Sequence, residues 1–445
     1  MDLLKDDIRK VFIHYLVPSI GSATVMSIYY LVDFIVVGRG VGADGLAAFS
    51  ILTPMLALIY FVGQLFGIGG SVMYSTRKGA GKESVGHQYF TLSLVAVLIC
   101  AGIFWIVYAL FHNQILTFLG ASDTTLPYAW EYMRWYTIFL PVAMTSNFWI
   151  AFVRNDNDPV RAMAGTLLGG CVNIVLDIVF VFPCGMGMSG AALASVLGAT
   201  LNVFIVTSHF WTKRNTLRLA RPQMTAKQLP HIVGSGLSSA MVELSNVITI
   251  FFFNTQLLAY AGELAVSIYG IICNWGILFL SLFNGVGMAT QPVISVNYGA
   301  GQKQRIAKTR NFALLCVAVL GVIFFLAGQL LTRPLITLFM EGTPGIFAIS
   351  DSAVRIYFTA FLFMGFTLVL TYYFQSVLWM KRAFVCAVCR SIVFVGVFIF
   401  ILPALFDLNG VWAAFPAGEA AALTLSVLIL VISRKGKKNK TVSNR

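Results

Sequence analysis

Uninterrupted apolar stretches constrain this chain more than any other feature of its sequence. The hydrocarbon core of a bilayer is about 30 Å thick, a distance a helix crosses with about 20 apolar residues. Twelve runs reach that length, near residues 11–38, 46–72, 89–111, 127–152, 162–183, 190–211, 231–260, 265–296, 312–333, 351–379, 383–404 and 410–432. The fold class they predict is an all-α membrane protein with twelve transmembrane helices. Charged residues make up only 11% of the chain, against roughly a quarter in soluble domains, so most of its surface must face lipid. An even number of crossings places both termini on the same side.

Short cytoplasmic loops hold an excess of Lys and Arg, and the basic residues sort accordingly. The connections after even-numbered runs, with the two tails, hold twenty-five of the thirty, among them Arg77, Lys78, Lys82, Lys213, Arg214, Arg218, Lys303 and Arg305. The opposite side has Arg39 and Arg333, and Arg134, Arg355 and Arg390 fall within runs. Both termini and the connection 212–230 are therefore expected in the cytoplasm, and Arg434–Lys440 reads as an anchor for anionic membrane lipids. The net charge of +13 belongs to loops rather than to one face, so nucleic acid is not an expected partner. The N-terminus, with Asp2, Asp6 and Asp7 ahead of a long run from Val11, does not read as a cleavable signal. Seven cysteines cannot all pair with one another, and Cys100, Cys171, Cys273 and Cys316 sit inside apolar runs, so no disulfide framework is indicated.

Shifting the sequence against itself reveals a repeat. At an offset of 220, Gly42 falls on Gly262, Gly67 on Gly287, Gly79-Ala80-Gly81 on Gly299-Ala300-Gly301, Pro183 on Pro403, Gly190 on Gly410 and Gly198 on Gly418. One step further, Arg134 and Tyr136 fall on Arg355 and Tyr357. Glycines and prolines fix backbone turns, so the recurrence predicts two six-helix halves, 1–211 and 231–433. The linker 212–230 carries Pro222 and Pro230, and 434–445 is a basic tail. Halves with an even number of helices are parallel repeats related by a pseudo-two-fold axis along the membrane normal, with a substrate cavity expected between them.

Ionisable residues inside lipid are costly unless they face protein or water, which makes them the informative ones. Four acids lie well inside runs: Asp33, Asp177, Glu243 and Glu419. Asp33 follows Pro18 by fifteen residues on the first run. A proline removes a backbone hydrogen bond and permits a bend, so this acid sits on an element able to change shape, unless it is simply solvated near the outer end beside Arg39. Asn173 and Asp177 are four apart and point the same way. An amide beside a carboxylate can donate to its charged form or share a proton with it, which suits a proton carrier. The alternative is a polar pair that only glues helices together. The repeat places Val393 and Val397 opposite them, so one half carries charge that the other lacks. Glu243, Asn246, Asn274, Asn284 and Gln291 form a polar set in the second half that suits a substrate cavity or internal packing. Arg390 and Glu419, on neighbouring runs, read as a structural ion pair, because a buried charge needs a partner.

Enzyme signatures fail on inspection. Gly79-Ala80-Gly81-Lys82-Glu83 lacks the upstream glycine and the Ser/Thr of a phosphate loop, and Gly185-Met-Gly-Met-Ser-Gly190 lies between membrane runs rather than after a strand. Cys386-xx-Cys389 and five scattered histidines give no metal-site spacing. No cofactor is expected beyond a coupling ion.

The chain resembles the multidrug and toxic compound extrusion (MATE) transporters along nearly its whole length. The residues that carry the resemblance are Pro18 with Asp33 in Tyr-Leu-Val-Asp-Phe-Ile-Val-Val-Gly, the two Gly-Ala-Gly turns, Asn173-xxx-Asp177 followed by Gly187-Met-Ser-Gly-Ala-Ala-Leu-Ala-Ser195, and Gln291-Pro292 before Asn297-Tyr-Gly-Ala-Gly301. The resemblance implies two lobes arranged in a V and export of cationic or amphipathic organic compounds from a cell membrane, driven by inward H⁺ or Na⁺. It assigns Asp33, Asn173, Asp177 and Ser195 to ion coupling, with Pro18 as the bend, and a monomer is expected. No acid stands where some members carry one on the tenth run, which favours H⁺. A lipid-linked oligosaccharide flippase is the alternative. It usually carries extra helices and a more cationic cavity, neither of which is evident here.

Overall fold

The computed structural model describes residues 2–221, 228–339 and 343–442; the side chains of Ala43, 242–247 and 433–442 are outside the description. Glu243 and Asn246 fall in that gap, as do Pro222 of the linker and the side chains of the basic tail. Apart from turns and the extended linker start at 212–221, the described residues are helical, the α-helices being α1 (Ile8–Gly40), α2 (Ala43–Gly79), α3 (Glu83–Phe118), α4 (Leu126–Ile138), α5 (Leu140–Asn155), α6 (Pro159–Val181), α7 (Gly187–Thr207), α8 (Leu229–Gly299), α9 (Lys303–Leu330), α10 (Thr332–Thr337), α11 (Pro344–Tyr357), α12 (Phe361–Ser376), α13 (Met380–Val388), α14 (Val395–Ile401) and α15 (Pro403–Val442).

Ten of these stretches are long and apolar enough to cross a membrane, and α4 with α5, bent by 63°, makes an eleventh. At 71 residues, α8 would be about 105 Å long if straight, far beyond a bilayer. It breaks at Gly262, whose φ of 71° and ψ of −166° are not helical. The sequence predicts a separate crossing on either side of this break; the described residues supply ten to eleven apolar spans, α8 being counted once. Gly42, which separates α1 from α2, has φ 93° and ψ −165°. The duplicated glycines therefore make the same sharp reversal, in a region that a Cβ disfavours. Outward-facing side chains on α3, such as Ile99, Ile103, Ile106 and Leu110, are all more than half exposed. An apolar stripe of this kind needs lipid against it.

The chain divides into two compact units, one of residues 1–240 with 291–306 and one of residues 241–290 with 307–445. Within the first unit, α2 and the end of α8 meet backbone to backbone. A Cβ on Gly79 would overlap the carbonyl oxygen of Val296, and one on Gly299 would overlap that of Thr76. These are duplicated positions with their roles exchanged, the self-complementary pattern of a two-fold contact. Small residues permit such approach between membrane helices.

Gly79→Val and Gly299→Val should therefore each lower the melting temperature of the purified protein. The cost is about 1–3 kcal/mol of overpacking for either change, and the double variant should lose less than the sum, because both force apart the same helix pair. Unchanged melting of both single variants would show that the helices do not touch here.

Candidate functional site

The first unit builds its polar centre from α1, α4, α5, α6 and α7. Asp158 caps α6 by accepting from the Arg161 backbone N–H at 3.3 Å, and Pro159 occupies the first turn, a position where its missing N–H costs nothing. From that start, Asn173 and Asp177 fall on the face turned towards α1 and α7. Gly198 lets α7 close on that face: a Cβ there would stand 2.7 Å from the Gly169 carbonyl oxygen and 2.8 Å from the Asn173 Cβ. The same rotation of α7 points Ser195 into the centre.

Ser195 is the hub. Its hydroxyl receives Tyr29 Oη–H and Asn173 Nδ2–H, each at 3.3 Å, and donates to Asp33 Oδ2 at 3.4 Å. All three bonds are long, so the group is loosely held. Asp33 and Asp177 lie on the packed helices α1 and α6 and are 3% and 0% exposed. Asp33 Oδ1, Asn173 Oδ1 and both Asp177 carboxylate oxygens receive no standard-geometry hydrogen bond. Four buried acceptor oxygens thus lack a standard-geometry donor, a deficit that a proton or a small cation would satisfy. The structure places the four expected coupling residues together. It also adds Tyr29, which is one turn before Asp33, and Tyr136, which lies beside Ser195.

A narrow cavity of about 50 Å³ opens beside this cluster, room for a few water molecules in this conformation. Tyr29, Tyr60, Tyr136, Asn147, Asn173 and Asn202 are among its lining residues. Asn202 donates to Ser146 Oγ at 3.1 Å. Asn202 is seven residues after Ser195, the helical spacing that could have marked it. The helix α1 runs unbroken through Pro18. Of the residues expected to line a substrate cavity, Asn274 is exposed and donates to the Gly270 carbonyl of its own helix, Asn284 is half-buried, and Gln291 is buried. None of these three lines the cavity just described. In the second unit Arg390 Nε contacts Glu419 Oε1 at 2.8 Å and Oε2 at 3.0 Å, both side chains being buried.

A second charge cluster lies at the end of the first unit that bears the basic loops. Asp156 accepts from Lys78 Nζ at 2.8 Å, from Tyr74 Oη at 2.7 Å, and from the Thr216 backbone N–H at 2.7 Å. His209 is wedged between two carboxylates, with Nε2 2.9 Å from Asp156 Oδ2 and Nδ1 3.2 Å from Asp158 Oδ2. Only an imidazolium can donate to both. Tyr15 Oη donates to Asn157 Oδ1 at 3.0 Å, tying α1 to the same turn. The start of the linker is therefore fastened to the α5–α6 turn rather than hanging free, which the sequence did not indicate.

The MatE family model matches residues 18–179 and 237–401. The chain belongs to the MatE family. As a MatE protein it is a multi-pass membrane transporter, not an enzyme. Among its relatives is the multidrug export protein MepA of Staphylococcus haemolyticus, 23% identical over 428 residues that cover 96% of this chain and 94% of that protein. MepA of Staphylococcus aureus is 24% identical, over 96% of this chain and 95% of that one. The fold matches that of an outward-facing multidrug-resistance MATE transporter of the MOP superfamily, with a TM-score of 0.91, 23% identity and 98% of each chain covered. It also matches a MATE structure in a bent conformation, with a TM-score of 0.89, 23% identity and 99% and 98% covered. These matches do not favour the flippase alternative for this MatE protein.

Burial by itself would push the carboxyls of Asp156 and Asp158 up, but hydrogen bonds from His209 to both, with Lys78 on Asp156 and Arg161 on Asp158, more than offset it and hold them below the usual value of 3.8. Groups whose folded values are depressed stabilise the fold above that value and lose their contribution as pH falls below it. Thermal scans should therefore show the melting temperature dropping below about pH 4. Asp156→Asn, which breaks a buried charge network, should cost about 3 kcal/mol at pH 7 and flatten that acid limb. A variant with wild-type melting and an unchanged acid limb would refute the assignment.

Proposed function

We propose that this protein is a secondary active antiporter that exports cationic or amphipathic organic compounds in exchange for H⁺, with Asp33 and Asp177 as the coupling pair. The observation that carries the reading is the set of four buried acceptor oxygens without standard-geometry donors, beside a cavity lined by three tyrosines. Two buried carboxylates on packed helices do not both stay charged without a positive partner. A proton supplies that partner from one side of the membrane. An organic cation in the cavity, held over the rings of Tyr29, Tyr60 and Tyr136 by cation–π attraction, competes with it electrostatically.

Protonation then favours release of the cargo, and deprotonation towards the other side resets the pair. Such exchange drives a conformational cycle only if proton and cargo differ in affinity for its two states. The helix α1 supplies the link, because it carries Asp33 and Tyr29 on one stretch and Pro18 on another. The ring of Pro18 leaves one backbone bond unmade, so α1 is the element that can bend as the charge of Asp33 changes. Under this reading the protein sits in the cell membrane with its basic loops and both termini in the cytoplasm, and it works as a monomer. Sodium is the second reading, favoured by one feature: Asp33, Asn173 and Asp177 offer Na⁺ several bare oxygens.

In proteoliposomes, an imposed pH gradient should drive uptake of ethidium, and Asp33→Asn and Asp177→Asn should each reduce that uptake at least tenfold. A sodium gradient without a pH gradient should drive nothing. Normal uptake by both variants would remove this mechanism, and uptake driven by sodium alone would replace H⁺ with Na⁺.

A further inference from the structure

The duplication lets the two units be compared position by position, each within itself. In the first unit, Gly170, Ala199, Ser195 and Tyr136 line the cavity. At the repeat offset of 220 the counterparts of the first three are Arg390, Glu419 and Phe415, and Tyr357 answers to Tyr136 one step further. In space, Gly198 packs on Asn173 of α6 and its counterpart Gly418 on Val395, two residues past Val393; the register along this helix therefore shifts across the π turn, and Arg390 stands opposite the Gly169–Gly170 stretch, both of which line the cavity.

What fills these positions differs between the units. Asp33 and Ser195 meet in the first unit. Their counterparts Phe253 and Phe415 meet in the second, with ring centroids 6.4 Å apart. Tyr357 stacks on Phe415 at 4.7 Å and lies 6.0 Å from Phe253. Where Gly170 and Ala199 leave space, Arg390 and Glu419 reach towards each other and join, their side chains 7% and 1% exposed. Arg390 rises from a wide π turn at Cys389–Phe394. Turns of this kind re-aim a side chain within a helix.

We propose that the Arg390–Glu419 ion pair is a plug that fills, in the second unit, the place that is open as a cavity in the first, and so restricts the chain to one cargo pocket. The two charges neutralise each other, so the plug attracts neither organic cation nor coupling ion. Replacing both with their first-unit counterparts removes two long side chains and leaves a chamber walled by Phe253, Tyr357 and Phe415, a lining suited to a planar organic cation. The inference rests on the reading that the first unit's cavity takes the cargo, and the test separates the two.

The experiment is equilibrium dialysis of labelled tetraphenylphosphonium against the full chain in phosphatidylethanolamine–phosphatidylglycerol nanodiscs. Wild type should bind one cation per chain, and Arg390→Gly/Glu419→Ala should bind two. Arg390→Met/Glu419→Leu, which fills the space without charge, should return to one. No binding by wild type overturns the reading of the first unit. One cation per chain in a folded Arg390→Gly/Glu419→Ala variant overturns the plug. Should that double variant fail to fold, Arg390→Ala alone leaves the Glu419 carboxylate facing the vacated space. Millimolar ethylguanidinium should then raise the melting temperature of Arg390→Ala by several degrees while leaving wild type unmoved, and an equal effect on both proteins contradicts the proposal.

Discussion

The arrangement depends on a buried carboxylate pair in which three of the four oxygens receive no standard-geometry hydrogen bond. Asp33 and Asp177 are enclosed by helices that themselves face lipid, and among the described residues no basic side chain is paired with them. Elsewhere the same chain solves the problem of buried charge conventionally. Asp156 has Lys78 and His209, and Glu419 has Arg390. Isolated charge in a poorly solvated interior costs far more than paired charge, and it is on this site that the proposed exchange of a proton for cargo rests.

Duplication explains why, among the described residues, the exception stands in one unit and not in both. Two halves of shared ancestry keep the backbone features that fix topology: the reversals at Gly42 and Gly262, and the reciprocal contact of Gly79 and Gly299. Side chains at matched positions have diverged. Polar residues around an open space stand in one unit, and rings with a neutral ion pair stand in the other. The fastening of the linker at Asp156 belongs with the rigid part of the design, since it secures α2, the α5–α6 turn and the 3₁₀ turn at Ser208–Trp211 around one buried carboxylate.

Much of this was legible in the sequence, for identifiable reasons. Runs of apolar residues report lipid contact directly, and even the break in α8 was marked by the gap between two runs at Gly262. Asn173 and Asp177 were readable because a spacing of four fixes a shared helical face, and Arg390 with Glu419 because lone charges in lipid seek partners. Pro18 stood out, although α1 passes through it without a break. Less was legible wherever contact depends on how helices rotate against each other. Tyr29, Tyr60 and Tyr136 are three tyrosines among sixteen, and nothing local distinguishes them. His209 read as one of five scattered histidines because its two carboxylates are more than fifty residues away. The cavity itself is a product of small residues on α6 and α7, and space leaves no motif.

Exchange of cargo for a proton at one buried pair is the central claim, and it is testable on the purified protein without any membrane gradient. Saturating tetraphenylphosphonium would be added to the protein in weakly buffered solution near pH 7, with proton release followed by a pH-sensitive dye. Coupling through Asp33 and Asp177 predicts that binding expels protons and weakens as pH falls. Binding that releases no protons, at an affinity that does not change with pH, would contradict the account.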